Sequence, residues 1–292
     1  MAAPAKSMIL RLISPFRRNA AWKVNVLSPL LTKLDCKIRL CPEERGALAA
    51  LVQSRAHRLP ARQDLYVEGD PISAMRVILD GWACRYDQLA DGRRQIVELF
   101  LPGDIIGQDR LFAEREDHSA CSLSALSYAQ VPRHDLDATI GRFPALGQAL
   151  LWDASVAAAI HRQWIRSLGR LSATQRIAHL FCELFYRSMR AGLARGNAFD
   201  MPLGQRDLGD ARGLSTVQVN RTVQLLRSAG LLNWRHRVVE IPDLPRLARI
   251  ALFRPHYLDL DVADDLLAKP SNASETIEIR HLPEERDLPL FR

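Results

Sequence analysis

The sequence has no apolar segment long enough to cross a membrane. A transmembrane helix needs about 20 consecutive apolar residues, and no run in the 292 residues approaches that length. The N-terminal stretch MILRLI is short and contains Arg11, so it does not fit a secretory leader either. We therefore expect no membrane partner.

Cysteine is scarce, and the common catalytic motifs are missing. Five cysteines are an odd number and too few for a disulfide scaffold, which favours a reducing compartment and predicts the cytoplasm. The chain has no G-x-x-x-x-G-K, G-x-S-x-G or H-E-x-x-H motif, and its eight histidines are dispersed. The sequence predicts no enzyme, catalytic residue, metal site or cofactor. A cupin-like β sandwich is able to hold a metal, but the sequence contains no cluster of metal ligands.

Positive charge is concentrated near the C-terminus. The net charge is +7, and the segment 170–258 contains fourteen arginines, six acidic residues and no lysine. This excess of eight positive charges fits a polyanionic partner. Six basic residues and no acid precede Asp35. Residues 1–26 are predicted to be a basic extension, either a disordered arm or a membrane-surface amphipathic helix, unless the start is misassigned.

The first half of the chain has the pattern of a β sandwich. Residues 27–54 have helical spacing, with Pro42 at a helix start. Short β-type runs then fill residues 56–132, separated by EGDP, DGW, ADGR and LPGD, and ADGR is a predicted hairpin tip. We expect an antiparallel sandwich or barrel in a domain of residues 27–143.

A long helix is predicted over residues 145–171, and SATQ at 172–175 is a capping box for the next helix. Leu150, Ala157, Trp164 and Leu171 repeat every seven residues. This stripe is either the seam of a dimer or a face packed against its own chain. The segment 144–171 is accordingly predicted to be a dimerisation helix. The polar segment 259–292 is predicted to be a mobile tail.

Residues 205–231 have the spacing of a helix-turn-helix. Gly209, where two helices must cross closely, is the fifth residue of the motif, and Gly213, where the turn needs positive φ, is the ninth. Ser215 caps the second helix and Gly230 ends it. One face of that helix is apolar and buried, and the opposite face is polar.

The polar face predicts base contacts from Thr216, Val217, Asn220 and Arg221. Arg221 can bond to guanine O6 and N7, Val217 can cover a thymine methyl group, and Asn220 can reach an adenine or a phosphate. Ser215 and Gln218 are candidates for phosphate contacts, as are the tip residues of the predicted hairpin LLNWRHRVVEI, namely Arg235, His236 and Arg237. Double-stranded DNA is the predicted partner.

At these motifs the chain resembles the cyclic-AMP receptor/fumarate-nitrate regulator (Crp/Fnr) family of bacterial transcription factors. The resemblance covers about residues 30–258: strands with EGD and LPGDIIGQ, a long helix, and LGDARGLSTVQVNR. It implies an α+β protein with an N-terminal jelly-roll domain like those that bind cyclic nucleotides, a dimerising helix and a winged helix-turn-helix at 172–258. It also implies a homodimer on a palindromic site that contacts RNA polymerase. A low-specificity architectural DNA-binding protein is the alternative.

The resemblance leaves the effector open. Nucleotide-binding members of the family carry Gly-Glu and Arg-Ser pairs, where this chain has Gly107-Gln108 and His118-Ser119. A neutral histidine is a poor substitute for arginine at a phosphate, so we expect no cyclic-AMP binding; another small molecule, or none, is the expectation for this pocket. Some relatives hold an iron–sulfur cluster, and Cys36, Cys41, Cys84 and Cys121 provide four thiols. Their spacing differs from that of the relatives, and scattered structural cysteines are the alternative.

Overall fold

A computed structural model describes residues 27–53, 55–110 and 112–260. The predicted extension at 1–26 and all but the first two residues of the predicted tail at 259–292 lie outside these residues. The chain forms two compact units. Among the described residues, the first unit contains those up to Ala154 together with Arg187–Leu203 and Trp234–Glu240. The second contains Ser155–Tyr186, Gly204–Asn233 and the described residues from Ile241 onward.

The first unit is a sandwich of two antiparallel sheets. Two helices, α1 (Ser28–Asp35) and α2 (Pro42–Gln53), precede the strands. The strands are β1 (Ala56–Leu59), β2 (Asp64–Tyr66), β3 (Ala74–Asp80), β4 (Ala83–Gln88), β5 (Arg94–Phe100), β6 (Ile105–Ile106), β7 (Ser119–Ser122) and β8 (Leu126–Pro132). One sheet has the order β1-β8-β3-β6 and the other β2-β7-β4-β5. Because strands that are distant in sequence are neighbours, the sandwich is the predicted jelly roll.

The run CSLSALS at 121–127, one of the short β-type runs of the sequence, is divided between two strands. Its first residues end β7 in one sheet and its last residues begin β8 in the other, so the chain crosses the sandwich at 123–125. Trp82 O accepts hydrogen bonds from the amides of Leu123 and Ser124 at this crossing. Small and apolar residues alternate through the crossing, so periodicity alone does not reveal it.

Two apolar clusters fill the first unit. One lies inside the sandwich and contains Tyr66, Ile78, Ala83, Phe100, Ile106, Ala120 and Leu126. The other lies between the sheet and the helices and includes Leu30, Leu34, Val52, Val77, Ile105 and Leu150. The LPGD turn touches α1 so closely that a Cβ on Gly103 would stand 2.7 Å from the Pro29 carbonyl carbon. With φ at +91°, this position accepts glycine alone without strain.

A buried group of charges also lies in this unit. Lys33 Nζ is 2.8 Å from an Asp104 oxygen and 2.6 Å from an Asp153 oxygen, and Arg187 Nη2 is 2.7 Å from Asp104. Burial alone would raise the pKa of Asp104, but Lys33 and Arg187 hold it well below its usual value. The pKa of Asp153 is raised, chiefly by burial. Removing one member of this network would leave an uncompensated buried charge.

Three helices follow the sandwich: α3 (Arg133–Arg142), α4 (Pro144–Arg170) and α5 (Ala173–Arg190). The predicted heptad stripe, whose last member Leu171 directly follows α4, is mostly buried within the chain itself, because Leu150, Trp164 and Leu171 are 9%, 3% and 6% exposed. The alternative prediction, a stripe packed against its own chain, is therefore correct for these residues. No single helix of the described residues is long and apolar enough to span a membrane; α3 and α4 meet that criterion only when taken together, across a bend of 119°.

The second unit contains the predicted pair of helices, α6 (Gln205–Arg212) and α7 (Thr216–Ser228), followed by α8 (Leu244–Ile250) and a 3-10 turn at Pro255–Leu258. Polar groups bond inside its core. Trp164 Nε1 donates to both Glu183 oxygens at 3.1 Å, and the Tyr257 hydroxyl donates to Glu183 at 3.0 Å. A further sheet, of three strands in the order β10-β11-β9, joins β9 (Ala198–Asp200) to the hairpin β10 (Asn233–Arg235) and β11 (Val238–Glu240). All of its residues except Asn233 are assigned to the first unit.

Candidate DNA-binding surface and sensor region

The turn between α6 and α7 depends on two glycines, as the sequence predicts. A Cβ on Gly209 would lie 2.5 Å from the Leu214 carbonyl oxygen, so only hydrogen fits there. Gly213 ends α6 with φ at +62°, in the left-handed region. The Leu214 amide then donates to the Gly209 carbonyl and closes the turn. These contacts confirm the predicted helix-turn-helix.

The start of α7 is a capping box. The Gln218 amide donates to Ser215 Oγ at 3.2 Å, and the Ser215 amide donates to Gln218 Oε1 at 2.9 Å. Ser215 Oγ also donates to Gln218 Oε1. The Ser215 hydroxyl is thus used inside the cap, and within the box only the Gln218 side-chain NH₂ group remains available for a phosphate.

The predicted base-reading residues form one exposed face of α7. Thr216, Val217, Asn220 and Arg221 are all exposed, and Val217 keeps 78% of its surface in solvent. The opposite face is buried through Val219, Thr222, Val223 and Leu226. Val217 is therefore an apolar side chain set among the polar residues of this exposed face.

Asn220 has a structural partner that the sequence did not predict. Its Nδ2 donates to Gln205 Oε1 at 3.3 Å, which joins α7 to the first residue of α6. Arg221, one residue on, makes no ion pair among the described residues. Of the two polar residues, Arg221 is therefore the freer to reach a base.

The hairpin formed by β10 and β11 turns at His236 and Arg237. Both have positive φ, 50° and 67°, although neither is glycine. Positive φ at both central residues defines the two-residue turn that matches strand twist, and this turn prefers Asn-Gly. Arg235, His236 and Arg237 are all exposed, so the hairpin presents basic side chains at a strained tip.

Three residues of the predicted sensor pocket have partners outside that set, and one of these partners is in α4. Gln108 Nε2 donates to Asp153 at 3.3 Å, and Ser119 Oγ accepts from the Glu68 amide at 3.1 Å. His118 Nδ1 lies 3.0 Å from an Asp117 oxygen. A carboxylate beside His118 disfavours a bound phosphate, and the neutral Gln108 is directed at α4. These residues do not fit a cyclic nucleotide held by a glutamate and an arginine.

Two buried arginines lie inside the sandwich. Arg76 pairs with Glu116 at 3.1 Å, and Arg85 pairs with Glu98 and Asp109 at 3.3 and 3.0 Å. Burial lowers the pKa of Arg85, and the two carboxylates more than reverse that effect. Burial also raises the pKa of Tyr66, whose ring lies 4.4 Å from the Arg76 guanidinium carbon, to about 12. Sequence reasoning missed these arginines; the available signal was a charged residue inside the apolar strands MRVIL and WACRYDQL.

The four cysteines considered for a cluster do not come together. Cys36 and Cys41 are exposed, and the Cys36 thiol donates to the Thr32 carbonyl. Cys84 and Cys121 are buried in the sandwich. Within the described part of the chain, no three His, Cys, Asp or Glu side chains are placed to hold a metal ion. This donor set does not fit an iron–sulfur cluster.

Two family comparisons match two successive segments of the chain. Residues 56–143 match the cyclic nucleotide-binding domain, and residues 175–250 match the Crp-like helix-turn-helix domain. The solved structure of FixK2 from Bradyrhizobium japonicum matches with a TM-score of 0.60 and 25% identity, covering 71% of this chain and 98% of that one.

Curated relatives match over most of their length. A probable transcriptional activator of Rhizobium leguminosarum bv. viciae is 30% identical over 200 residues, which are 68% of this chain and 81% of the relative. The transcriptional activator protein FnrL of Cereibacter sphaeroides is 29% identical over 73% of this chain and 89% of the relative. With a jelly roll, a long helix and a helix-turn-helix in the same order, the chain belongs to the Crp/Fnr family of transcription regulators, a family of DNA-binding proteins and not of enzymes.

Proposed function

We propose that the protein binds a palindromic DNA site as a homodimer, reads bases with α7 and activates transcription in the cytoplasm. The observation that carries the proposal is the exposed face of α7, where Val217 and Arg221 point away from a helix otherwise packed in its domain. The relatives named as transcriptional activators support activation, and with it contact with RNA polymerase.

Arg221 is the proposed guanine reader. Its guanidinium has the forked geometry that matches guanine O6 and N7, and it is exposed near the start of α7. Val217 covers a thymine methyl group, and Thr216 contacts a base edge. Asn220 reaches an adenine or a phosphate only by giving up its bond to Gln205, so we assign it the smaller part of the specificity.

Phosphate contacts fix the position of α7 and carry no sequence information. The Gln218 NH₂ group and the backbone amides at the start of α7 are suited to one phosphate, because a helix N-terminus has positive potential. Ser215 contributes by holding that first turn in shape. Arg235, His236 and Arg237 at the hairpin tip are the proposed contacts to a second segment of backbone.

A different stripe of α4 supports the homodimer. Seven of the exposed positions of this helix recur at alternating intervals of three and four residues: Gln148, Leu151, Ser155, Ala158, Arg162, Ile165 and Gly169. Leu151 and Ile165 keep 73% and 72% of their surface in solvent. A 3-4 repeat is the pattern of helices that pair side by side. Two paired chains can then present their α7 helices to successive major grooves, about 34–36 Å apart.

The test is selection of bound DNA from a random pool. We expect a two-fold symmetric motif for the wild type, and for Arg221→Ala a motif that has lost its preference at one base pair of each half-site, with binding weaker by about 1–3 kcal/mol. Arg93→Ala removes the same charge from an exposed position in the first unit and is expected to select the wild-type motif. An unchanged motif for Arg221→Ala removes our assignment, and no motif for the wild type favours an architectural protein.

The dimer has its own test. Leu151→Glu combined with Ile165→Glu places two charges on the proposed seam, and sedimentation equilibrium is expected to show monomers and a loss of affinity for the palindrome. Phe112→Glu is the matched control, because Phe112 is 91% exposed and lies outside α4. A double variant that remains dimeric contradicts the proposed seam.

A further inference from the structure

Cys84 and Cys121 face each other across two neighbouring strands. They are directly opposite in the pairing of β4 with β7, and their sulfur atoms are 3.4 Å apart. Opposite residues of an antiparallel pair have Cα atoms about 4.5 or 5.5 Å apart, and both values lie within the range of about 4.4–6.8 Å that disulfides span. A covalent bond therefore requires mainly that the two sulfurs approach to about 2.05 Å.

The surroundings of Cys121 favour its thiolate. The pKa of this thiol is lowered, first by the hydrogen bond with Cys84 and then by the charge of Arg94, against the effects of burial and of Asp64. Arg94 Nη1 lies 3.7 Å from the Cys121 sulfur. Because the thiolate is the nucleophile, a neighbouring cation makes a cysteine more reactive.

The other buried cysteine of the chain is different. Burial raises the pKa of Cys182 well above the ordinary value, with no charged group to oppose it. It is completely buried in α5, whereas Cys121 is 4% exposed and lies beside the exposed residues Arg62 and Asp64. The sandwich thus contains a thiol pair with one reactive member, and the second unit contains an inert thiol for comparison.

We propose that Cys84 and Cys121 are a redox-modification site at which a hydroperoxide forms a reversible disulfide within the sheet. The Cys121 thiolate attacks one peroxide oxygen, the O–O bond breaks, and a sulfenic acid forms with release of hydroxide or alkoxide. The Cys84 sulfur then attacks the Cys121 sulfur, the S–S bond forms, and the expelled hydroxyl leaves as water with the Cys84 proton. The two thiols lose two electrons and the peroxide gains them. A small thiol reverses the step by exchange.

The order of the two steps follows from exposure. Cys121 keeps a small accessible area, whereas Cys84 has none, so the peroxide meets Cys121 first. Cys84 then acts as the resolving thiol, already in contact. The site does not require a metal, and it does not depend on the proposed DNA site.

The experiment treats the full-length protein with hydrogen peroxide under native conditions, blocks free thiols, and maps peptides without reduction. The Cys36→Ser, Cys41→Ser background removes the two exposed thiols and leaves three. We expect a peptide that joins Cys84 to Cys121, an intact mass lower by two hydrogens, and Cys182 still alkylated after denaturation. Treatment with a small dithiol restores the starting mass.

Two variants in the same background separate the steps. Cys84→Ser is expected to stop at a sulfenic acid on Cys121, which a dimedone-type probe captures, and Cys121→Ser is expected to give neither product. Circular dichroism checks that each variant is folded. The parent protein, which is the Cys36→Ser, Cys41→Ser background itself, tests the proposed disulfide even if a variant fails to fold. The proposal is overturned if both thiols stay free in the parent at a peroxide dose that oxidises Cys36 in the wild type, or if the linked pair forms only after unfolding.

Discussion

The guanidinium carbon of Arg212 lies 4.0 Å from the centre of the Trp164 ring, inside the second unit. Arg212 is the last residue of α6, the first helix of the helix-turn-helix, and Trp164 belongs to α4. Both are buried, at 0% and 3% exposure. A desolvated cation over an indole ring contributes about 2 kcal/mol. The last two turns of α4 are therefore part of the packing that holds the DNA-binding helices.

Trp164→Phe is expected to lower the free energy of unfolding of this unit by about 1–3 kcal/mol, because Glu183 loses the donor Nε1 while a smaller aromatic ring replaces the indole. Trp164→Ala is expected to cost about 3–5 kcal/mol, since it also creates a cavity. Urea unfolding at fixed protein concentration measures both. Arg170→Ala, exposed on the same helix, is the control and is expected to stay within about 0.5 kcal/mol of the wild type. Equal losses for Phe and Ala would contradict the role of the ring.

Gly209→Ala is expected to weaken both folding and DNA binding. The added methyl group would lie 2.5 Å from the Leu214 carbonyl oxygen, so the backbone of the turn must move, at a cost of about 1–3 kcal/mol. The angle between α6 and α7 then changes, and affinity for the selected site falls.

Gly46→Ala is the matched control for that substitution. Gly46 is inside α2 with nothing within 4 Å of the added carbon, so the same change is expected to stabilise by about 0.5–1 kcal/mol. Urea unfolding and a mobility-shift titration measure the two effects. A Gly209→Ala protein as stable as the Gly46→Ala protein would show that the turn accepts a side chain.

The helix-turn-helix was predictable because its constraints are local. Gly209, Gly213 and Ser215 each meet a requirement of the backbone within a few residues, and the exposed face of α7 follows from its period. The strand β1 was not predictable in this way. It lies at the edge of its sheet with three of its four residues exposed, so it has no alternating apolar pattern to detect.

Contacts between distant residues were also beyond the sequence pattern. The heptad stripe of Leu150, Ala157, Trp164 and Leu171 is wholly apolar, and apolar content alone assigns it to a dimer. The neighbouring stripe also contains polar residues, namely Gln148, Ser155 and Arg162. Only the fold shows that the first stripe is used inside the chain. The contact between Cys84 and Cys121 depends on strand pairing 37 residues apart, which no local spacing reveals.

The hairpin tip presents basic side chains in a backbone conformation that lowers the stability of the fold. His236 and Arg237 both have positive φ, a conformation that costs a non-glycine residue about 1–2 kcal/mol. His236→Asn with Arg237→Gly is expected to raise the free energy of unfolding by about 1–2 kcal/mol. It is also expected to weaken DNA binding and to reduce the salt dependence by about one phosphate contact. Salt titrations of affinity measure the second effect.

His236→Asn alone separates strain from charge, because Arg237 keeps its guanidinium. This variant is expected to be more stable than the wild type with an almost unchanged salt dependence. A double variant that binds DNA with the wild-type salt dependence would show that the hairpin tip does not reach the phosphates.

A buried histidine makes the stability of the second unit depend on pH. His179 lies between the rings of Phe253 and Tyr257, and neither of its ring nitrogens has a hydrogen-bond partner among the described residues. Burial, with the charges of Arg212 and Arg166, lowers its pKa from 6.5 to about 3. Between about pH 3 and pH 6.5 the unfolded chain therefore binds a proton at this histidine and the folded chain does not. The contribution of His179 to the free energy of unfolding is fully present above about pH 6.5, and it falls by about 1.4 kcal/mol per pH unit as the pH drops toward 3.

His179→Phe and His179→Leu remove this titration without breaking a hydrogen bond. We expect both to unfold in urea with a free energy that changes less between pH 7 and pH 5 than that of the wild type, the difference being about 1–2 kcal/mol at pH 5. The His179→Leu variant is included because the phenylalanine ring is larger than imidazole and can strain the core. His256→Phe, which removes an exposed histidine of the same unit, is measured beside them as the control. If the two His179 variants follow the wild-type curve, His179 is protonated in the folded protein and the aromatic cluster around it accepts the charge.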